Sequence, residues 1–172
     1  MSTGSDTITF DDAKDGRICV AAAIGIETPT ILMADDDEDD QMLVADALRQ
    51  AGILNPLRFF ANGEELMSYL HRREEGASLP LAPRPGLLLL DLNMPRKGGR
   101  EALREIKADP RLRSIPVVVL TTSGMQDDVD LSYALGANSF ISKPVTFDGL
   151  VKSLQILGHY WFQIAKLPGA SR

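Results

Sequence analysis

Leu87-Leu88-Leu89-Leu90-Asp91 sets four leucines in a row and closes them on a carboxylate, with Leu92-Asn93-Met94-Pro95 following. A short unbroken apolar run bounded by turn residues reads as a strand buried on both faces, as at the centre of a parallel sheet. Two other places repeat the pattern. Upstream, Ile31-Leu32-Met33-Ala34 runs into Asp35-Asp36, and downstream, residues 139–142 run into Lys143-Pro144. In an open parallel sheet, ligands bind just beyond the carboxyl ends of the strands, so three such endings can converge on one pocket. Carboxylates and an ammonium beside a hard cation make a site for phosphoryl chemistry.

Outward from this core, strand-like runs fall at 30–34, 57–61, 86–90, 116–120 and 139–142. Helical patterns lie between them. In the first, Val44, Ala47, Leu48 and Ala51 recur at i, i+3, i+4 and i+7, and Gly52 reads as the stop. Others run over 63–75, 99–108, 125–135 and 147–167. Alternating units of this kind predict an α/β, doubly wound sheet of five parallel strands. Pro80, Pro83 and Pro85 mark a loop before the third strand, longer than most such connections. Residues 1–28 keep no period and read as a poorly ordered extension, leaving 29–168 as the domain. A translation start set too far upstream would leave the same pattern.

The chain's 172 residues are enough for one domain with a real core. A net charge of −6 argues against a basic nucleic-acid face. The single cysteine, Cys19, excludes an internal disulfide framework and fits a reducing compartment. The apolar residues 18–26 are too short to span a bilayer. They follow Asp11, Asp12 and Asp15, where a secretory signal carries positive charge. The expectation is a cytoplasmic protein without membrane or nucleic-acid partners.

Over residues 28–167 the chain resembles a response-regulator receiver domain of two-component signalling. Pro95-Arg96-Lys97-Gly98-Gly99-Arg100-Glu101, Thr121-Thr122-Ser123, His159-Tyr160-Trp161-Phe162 and Leu167-Pro168 resemble the small stand-alone regulators that pair with bacterial phytochrome kinases. The resemblance implies a flavodoxin-like fold with strand order 2-1-3-4-5. It implies a phosphoacceptor fed by a sensor histidine kinase, assisting its own phosphorylation and dephosphorylation without being an enzyme, and signalling through protein contacts.

Residue by residue, Asp91 matches the phosphoacceptor. Asp36, Asp91 and the Asn93 backbone carbonyl match the Mg²⁺ ligands, with Asp35 acting through a bound water. Lys143 matches the lysine that ion-pairs the acceptor aspartate at rest and the phosphoryl group afterwards, and the family has a cis peptide before the proline at 144. Thr121 matches the hydroxyl donor, and Thr121 with Phe140 the switch pair. Phe140 stands where tyrosine is commoner, so a hydroxyl-mediated switch is not available. Gly98 stands where many members carry an acid. Thr122 and Asn93 flank the site.

Each residue also has a plainer reading. Asp91 alone could cap a helix, Lys143-Pro144 could be ordinary loop punctuation, and Phe140 could be packing. Asp37, Glu38, Asp39 and Asp40 are accounted for by the positive end of a helix dipole. Asp35, Asp37, Asp39 and Asp46 match EF-hand ligand positions, but Asp40 stands where that loop needs glycine, and a strand precedes the run. A haloacid-dehalogenase-like phosphohydrolase would also use a strand-end aspartate, but its second aspartate is replaced by Asn93. His71 and His159 read as surface helix residues.

On the last helix, Phe147, Leu150, Val151, Leu154 and Trp161 form a stripe towards the sheet. Ile156, Tyr160, Ile164 and Leu167 form a second set at about 100° per residue on the far side. That set is expected to meet a second copy in a homodimer; packing against the N-terminal extension is the plainer alternative.

Overall fold

A computed structural model describes residues 28–74 and 85–168. The expected N-terminal extension and the proline-rich loop lie, apart from their last residues, outside these. The described residues hold strands β1 (Thr30–Ala34), β2 (Leu57–Phe60), β3 (Pro85–Leu90), β4 (Val117–Thr121) and β5 (Ser139–Ser142). Between and after them come helices α1 (Glu38–Gln50), α2 (Gly63–Glu74), α3 (Gly99–Ala108), α4 (Gln126–Ala134) and α5 (Phe147–His159). All strands pair parallel, in the order β2-β1-β3-β4-β5. This is the flavodoxin-like arrangement. Among the described residues no helix is long and apolar enough to cross a membrane.

The four leucines serve two cores at once. Side chains alternate across a strand, so Leu88 and Leu90 join Leu32, Ala34, Val117, Val119, Leu103 and Ile106 on one face. Leu87 and Leu89 join Ile31, Met33, Val118, Val44, Leu150 and Leu154 on the other. Leu87 to Leu90 are each at most 1% exposed. Burying a leucine in full contributes roughly 1.5–3 kcal/mol, so the strand is worth most when both faces are covered. An amphipathic helix would leave part of the run in water.

One helix end is as expected and another differs. At α1 the stop is as read: Gly52 takes φ +78° and its N–H donates to the Arg49 carbonyl. The expected helix over 147–167 instead stops being α-helical after His159. Tyr160–Ile164 form a π-helical turn, closed by the Ala165 N–H on the Tyr160 carbonyl at 2.7 Å. Gly158 explains the close packing there, since a Cβ on it would lie 2.3 Å from Ile53 Cδ1.

Candidate functional site

Sheet register assembles the site. Ala34 pairs with Leu90, and the Asp91 N–H donates to the Ala34 carbonyl at 2.9 Å. The next residues on β1 and β3, Asp35 and Asp91, therefore emerge side by side at the carboxyl edge. Both are buried, at 1% and 7% exposure, while Asp36 is exposed. Asp35, Asp36 and Asp91 each offer an oxygen, and these lie within 4.8 Å of one another. Asp91 is steadied by its own loop, where the Asn93 N–H donates to Asp91 Oδ2 at 3.1 Å.

The turn of this loop and its close packing come from different residues. The left-handed residue is Arg96, at φ 61°, and Gly98 is the extended N-cap of α3. Gly99 is needed for closeness: a Cβ on it would lie 1.9 Å from the Asp91 carbonyl oxygen. Its N–H donates to the Leu92 carbonyl.

Lys143 follows β5, and its N–H donates to the Thr121 carbonyl at 2.7 Å. Its ammonium does not pair with Asp91, contrary to the resting ion pair expected. Nζ donates to Asp35 Oδ2 at 2.6 Å and to Asp40 Oδ2 at 2.5 Å. Asp40 is thus a site residue that the sequence reading assigned to the helix dipole. Of that acidic run, Asp37 caps α1, accepting from the N–H groups of Asp39 and Asp40. Among the described residues there is no cis peptide, so the bond before Pro144 is trans.

Burial raises the Asp35 carboxyl above its ordinary pKa, outweighing hydrogen bonds from Lys143 and from the Asp37 N–H. Burial works against the charge on Lys143 too, but its bonds to Asp35 and Asp40 prevail and its pKa ends raised. Lys143 therefore stays charged. One ammonium faces Asp35, Asp36, Asp40 and Asp91, so carboxylate charge is in excess. An all-oxygen donor set with surplus negative charge fits a hard divalent cation.

Thr121 and Phe140 stand on the same face of the sheet. Phe140 pairs with Val119, two residues before Thr121, and packs half-buried against the Leu88–Leu90 side of the core. Thr121 is fully buried, and its Oγ1 accepts the Ser123 N–H at 3.4 Å. Ser123 in turn donates to Asp128 on α4 at 2.5 Å, and Arg100 on α3 donates to the same carboxylate at 2.5 Å. These two bonds hold Asp128 below the usual carboxylate range. Thr122 is exposed and lines a 370 Å³ cavity with Asp40, Lys143 and Pro144.

On α5 the sheet-facing stripe packs as read, with Leu157 and Phe162 added to it. Ile156, Tyr160 and Ile164 are 72%, 51% and 62% exposed. Leu167 leaves this set: it is half-buried, its Cδ1 lying 3.1 Å from where a Gly86 Cβ would stand. The helix ends before that position is reached: Ala165, after the π turn, is already extended at φ −72° and ψ 145°. His71 lies 3.8 Å from Glu105, and His159 Nδ1 meets Gln163 at 2.8 Å.

A family model described as the response regulator receiver domain matches residues 31–155. Response regulator Rcp1 of Synechocystis sp. is 41% identical over 140 residues, covering 81% of this chain and 93% of Rcp1. The phosphorylated cyanobacterial phytochrome response regulator RcpA aligns with a TM-score of 0.74 at 39% identity, over 83% of this chain and 99% of RcpA. The Mn²⁺-bound form of Rcp1 aligns with a TM-score of 0.72 at 40% identity, over 82% of this chain and 99% of that one. Matches of this extent do not favour the phosphohydrolase alternative. The chain belongs to the response regulator receiver domain family, as a two-component phosphoacceptor closely similar to the phytochrome regulators Rcp1 and RcpA.

Proposed function

We propose that Asp91 is the phosphoacceptor, taking its phosphoryl group from a sensor histidine kinase, with phytochrome-linked kinases as the donor class. The clustering of the Asp35, Asp36 and Asp91 oxygens within 4.8 Å, with Lys143 bonded to Asp35, carries this reading. An Asp91 carboxylate oxygen attacks phosphorus, the P–N bond of the donor phosphohistidine breaks, and its electron pair leaves with the imidazole. Asp36, Asp91 and the Asn93 carbonyl would hold the cation, here Mg²⁺, with Asp35 acting through a water. When bound, the cation offsets negative charge on the carboxylates and phosphoryl oxygens. The Lys143 ammonium and the Thr121 hydroxyl then donate to the phosphoryl oxygens.

Receiver domains are generally signalling modules without catalytic turnover. Here the same residues assist the chain's own phosphorylation and its slow hydrolysis. Residues 29–168 form the receiver and 1–28 an extension. Thr121 turning towards the phosphoryl group draws Phe140 inward, and the change leaves through protein contacts rather than nucleic acid. Ile156, Tyr160 and Ile164 form the centre of a homodimer contact, in a cytoplasmic protein.

The test is labelling by a phosphorylated histidine kinase or by acetyl phosphate. Asp91→Asn is expected to abolish labelling, and EDTA to abolish it in the unsubstituted chain. Labelling that persists in Asp91→Asn and in EDTA overturns the assignment.

A further inference from the structure

The position of Lys143 carries a consequence that rests on the phosphoacceptor reading and goes beyond it. The ammonium has three protons to donate. Two are committed, to Asp35 Oδ2 at 2.6 Å and to Asp40 Oδ2 at 2.5 Å, and neither goes to Asp91. These partners differ in kind. Asp35 is a strand-end carboxylate, its side chain 2% exposed and at the metal cluster. Asp40 sits in the first turn of α1, its side chain 32% exposed, outside that cluster. The Lys143 side chain is itself only 11% exposed, so water competes weakly for its protons.

We propose that Asp40 is a positioning residue: it holds the Lys143 ammonium on α1 while Asp91 is unmodified, and releases it when a phosphoryl group forms. Holding the ammonium there does two things of opposite sign. It keeps a positive charge off Asp91, leaving Asp36 and Asp91 open to the cation. It also ties the ammonium to α1, so that drawing Lys143 towards a phosphoryl oxygen stretches the Lys143–Asp40 bond. Asp40 therefore favours the cation-bound resting site and opposes the phosphoryl-bound one.

Asp39 supplies the control. It lies one residue away in the same helical turn, is exposed, and carries the same charge without a bond to Lys143. Two affinities are read for each variant in the full chain: Mn²⁺ alone, and beryllofluoride as a phosphoryl analogue at saturating Mn²⁺. Loss of one charge-assisted bond, partly replaced by new partners, is expected to change each by about fivefold. In Asp40→Asn, Mn²⁺ alone binds more weakly and beryllofluoride more tightly. Asp40→Glu, which keeps the charge and reach, restores both towards the unsubstituted values. Asp39→Asn leaves both within about twofold, as an exposed charge screened by water would.

A merely structural role for Asp40 would weaken both ligands together, and that result overturns the proposal. Equal shifts in Asp39→Asn and Asp40→Asn also overturn it, by reducing the effect to bulk charge. Beryllofluoride that fails to bind the unsubstituted chain would overturn the phosphoacceptor reading itself, a distinct outcome.

Discussion

Gly99 and Asp91 approach so closely that any side chain on Gly99 would begin 1.9 Å from the Asp91 carbonyl oxygen. The first turn of α3 is thereby pressed onto the backbone of the Asp91 loop, and backbone cannot yield as a flexible side chain can. Gly99→Ala is expected to cost about 3 kcal/mol in urea unfolding, at the upper end for overpacking. It should also weaken Mn²⁺ binding, because Asp91 must move. Gly98→Ala is the contrast. Its Cβ would meet nothing nearer than 3.5 Å and its φ of −73° suits any residue. That change costs under about 1 kcal/mol, the loss of a tolerable N-cap. Equal costs at the two positions would refute the closeness argument.

The raised pKa of Asp35 makes the effect of metal depend on pH. Burial lifts this carboxyl above its ordinary value of 3.8. Such a group favours the folded state below pH 3.8, and that contribution is lost as pH rises through its folded pKa. Above that pKa an ionised carboxylate is buried at the site, a cost that a bound cation offsets. Millimolar Mg²⁺ is expected to raise the melting temperature at pH 7 and to do little at pH 4. Thermal scans with and without EDTA at the two values check this, and an equal shift at both would rule out Asp35 as the cause.

Much of the fold is legible because the strands carry their own evidence. Leu87 to Leu90, and Val117 to Leu120, are apolar at every position, which only a sheet covered on both faces rewards. The strand-end acids are legible for the same reason, each ending such a run, while Lys143 is legible from its place after β5 and before Pro144. Asp40 was not. Its acid lies in a helix's first turn, where the dipole already accounts for one, and its partner is 103 positions away. Nor does periodicity reveal the π turn. It adds one residue to a single helical turn, and nothing in Tyr160-Trp161-Phe162-Gln163-Ile164 departs from an amphipathic pattern. Leu167 falls outside the ridge because the chain is already extended at Ala165.

Asp128 ties the β4–α4 loop to α3 through its bonds with Ser123 and Arg100. Its pKa is depressed, first by the Ser123 hydrogen bond and then by Arg100. A carboxylate depressed in this way stabilises the fold above pH 3.8 and loses that contribution as pH falls through its folded pKa. Asp128→Asn is therefore expected to melt below the unsubstituted protein at pH 6, with the gap closing towards pH 2. A gap that stays constant over that range would show that the charge on Asp128 is not what Ser123 and Arg100 hold.

Ile156, Tyr160 and Ile164 present an apolar ridge at 72%, 51% and 62% exposure on α5 and the π turn. Tyr160 is braced from behind by Trp161, edge to face at 5.2 Å, so the ridge is preformed. Two-fold contact sets the same patch against itself and covers both copies at once. Three side chains per copy form only the centre of a stable interface, which needs roughly 1,200–2,000 Å² in total. One charge placed at that centre should then be enough to break it. Tyr160→Glu is expected to give a folded monomer that still accepts phosphate, because the substitution lies away from Asp91 and Lys143. Light scattering at micromolar concentration reads the mass, before and after treatment with acetyl phosphate. If the unsubstituted chain is monomeric in both states, the self-contact is excluded and the ridge must serve a different partner.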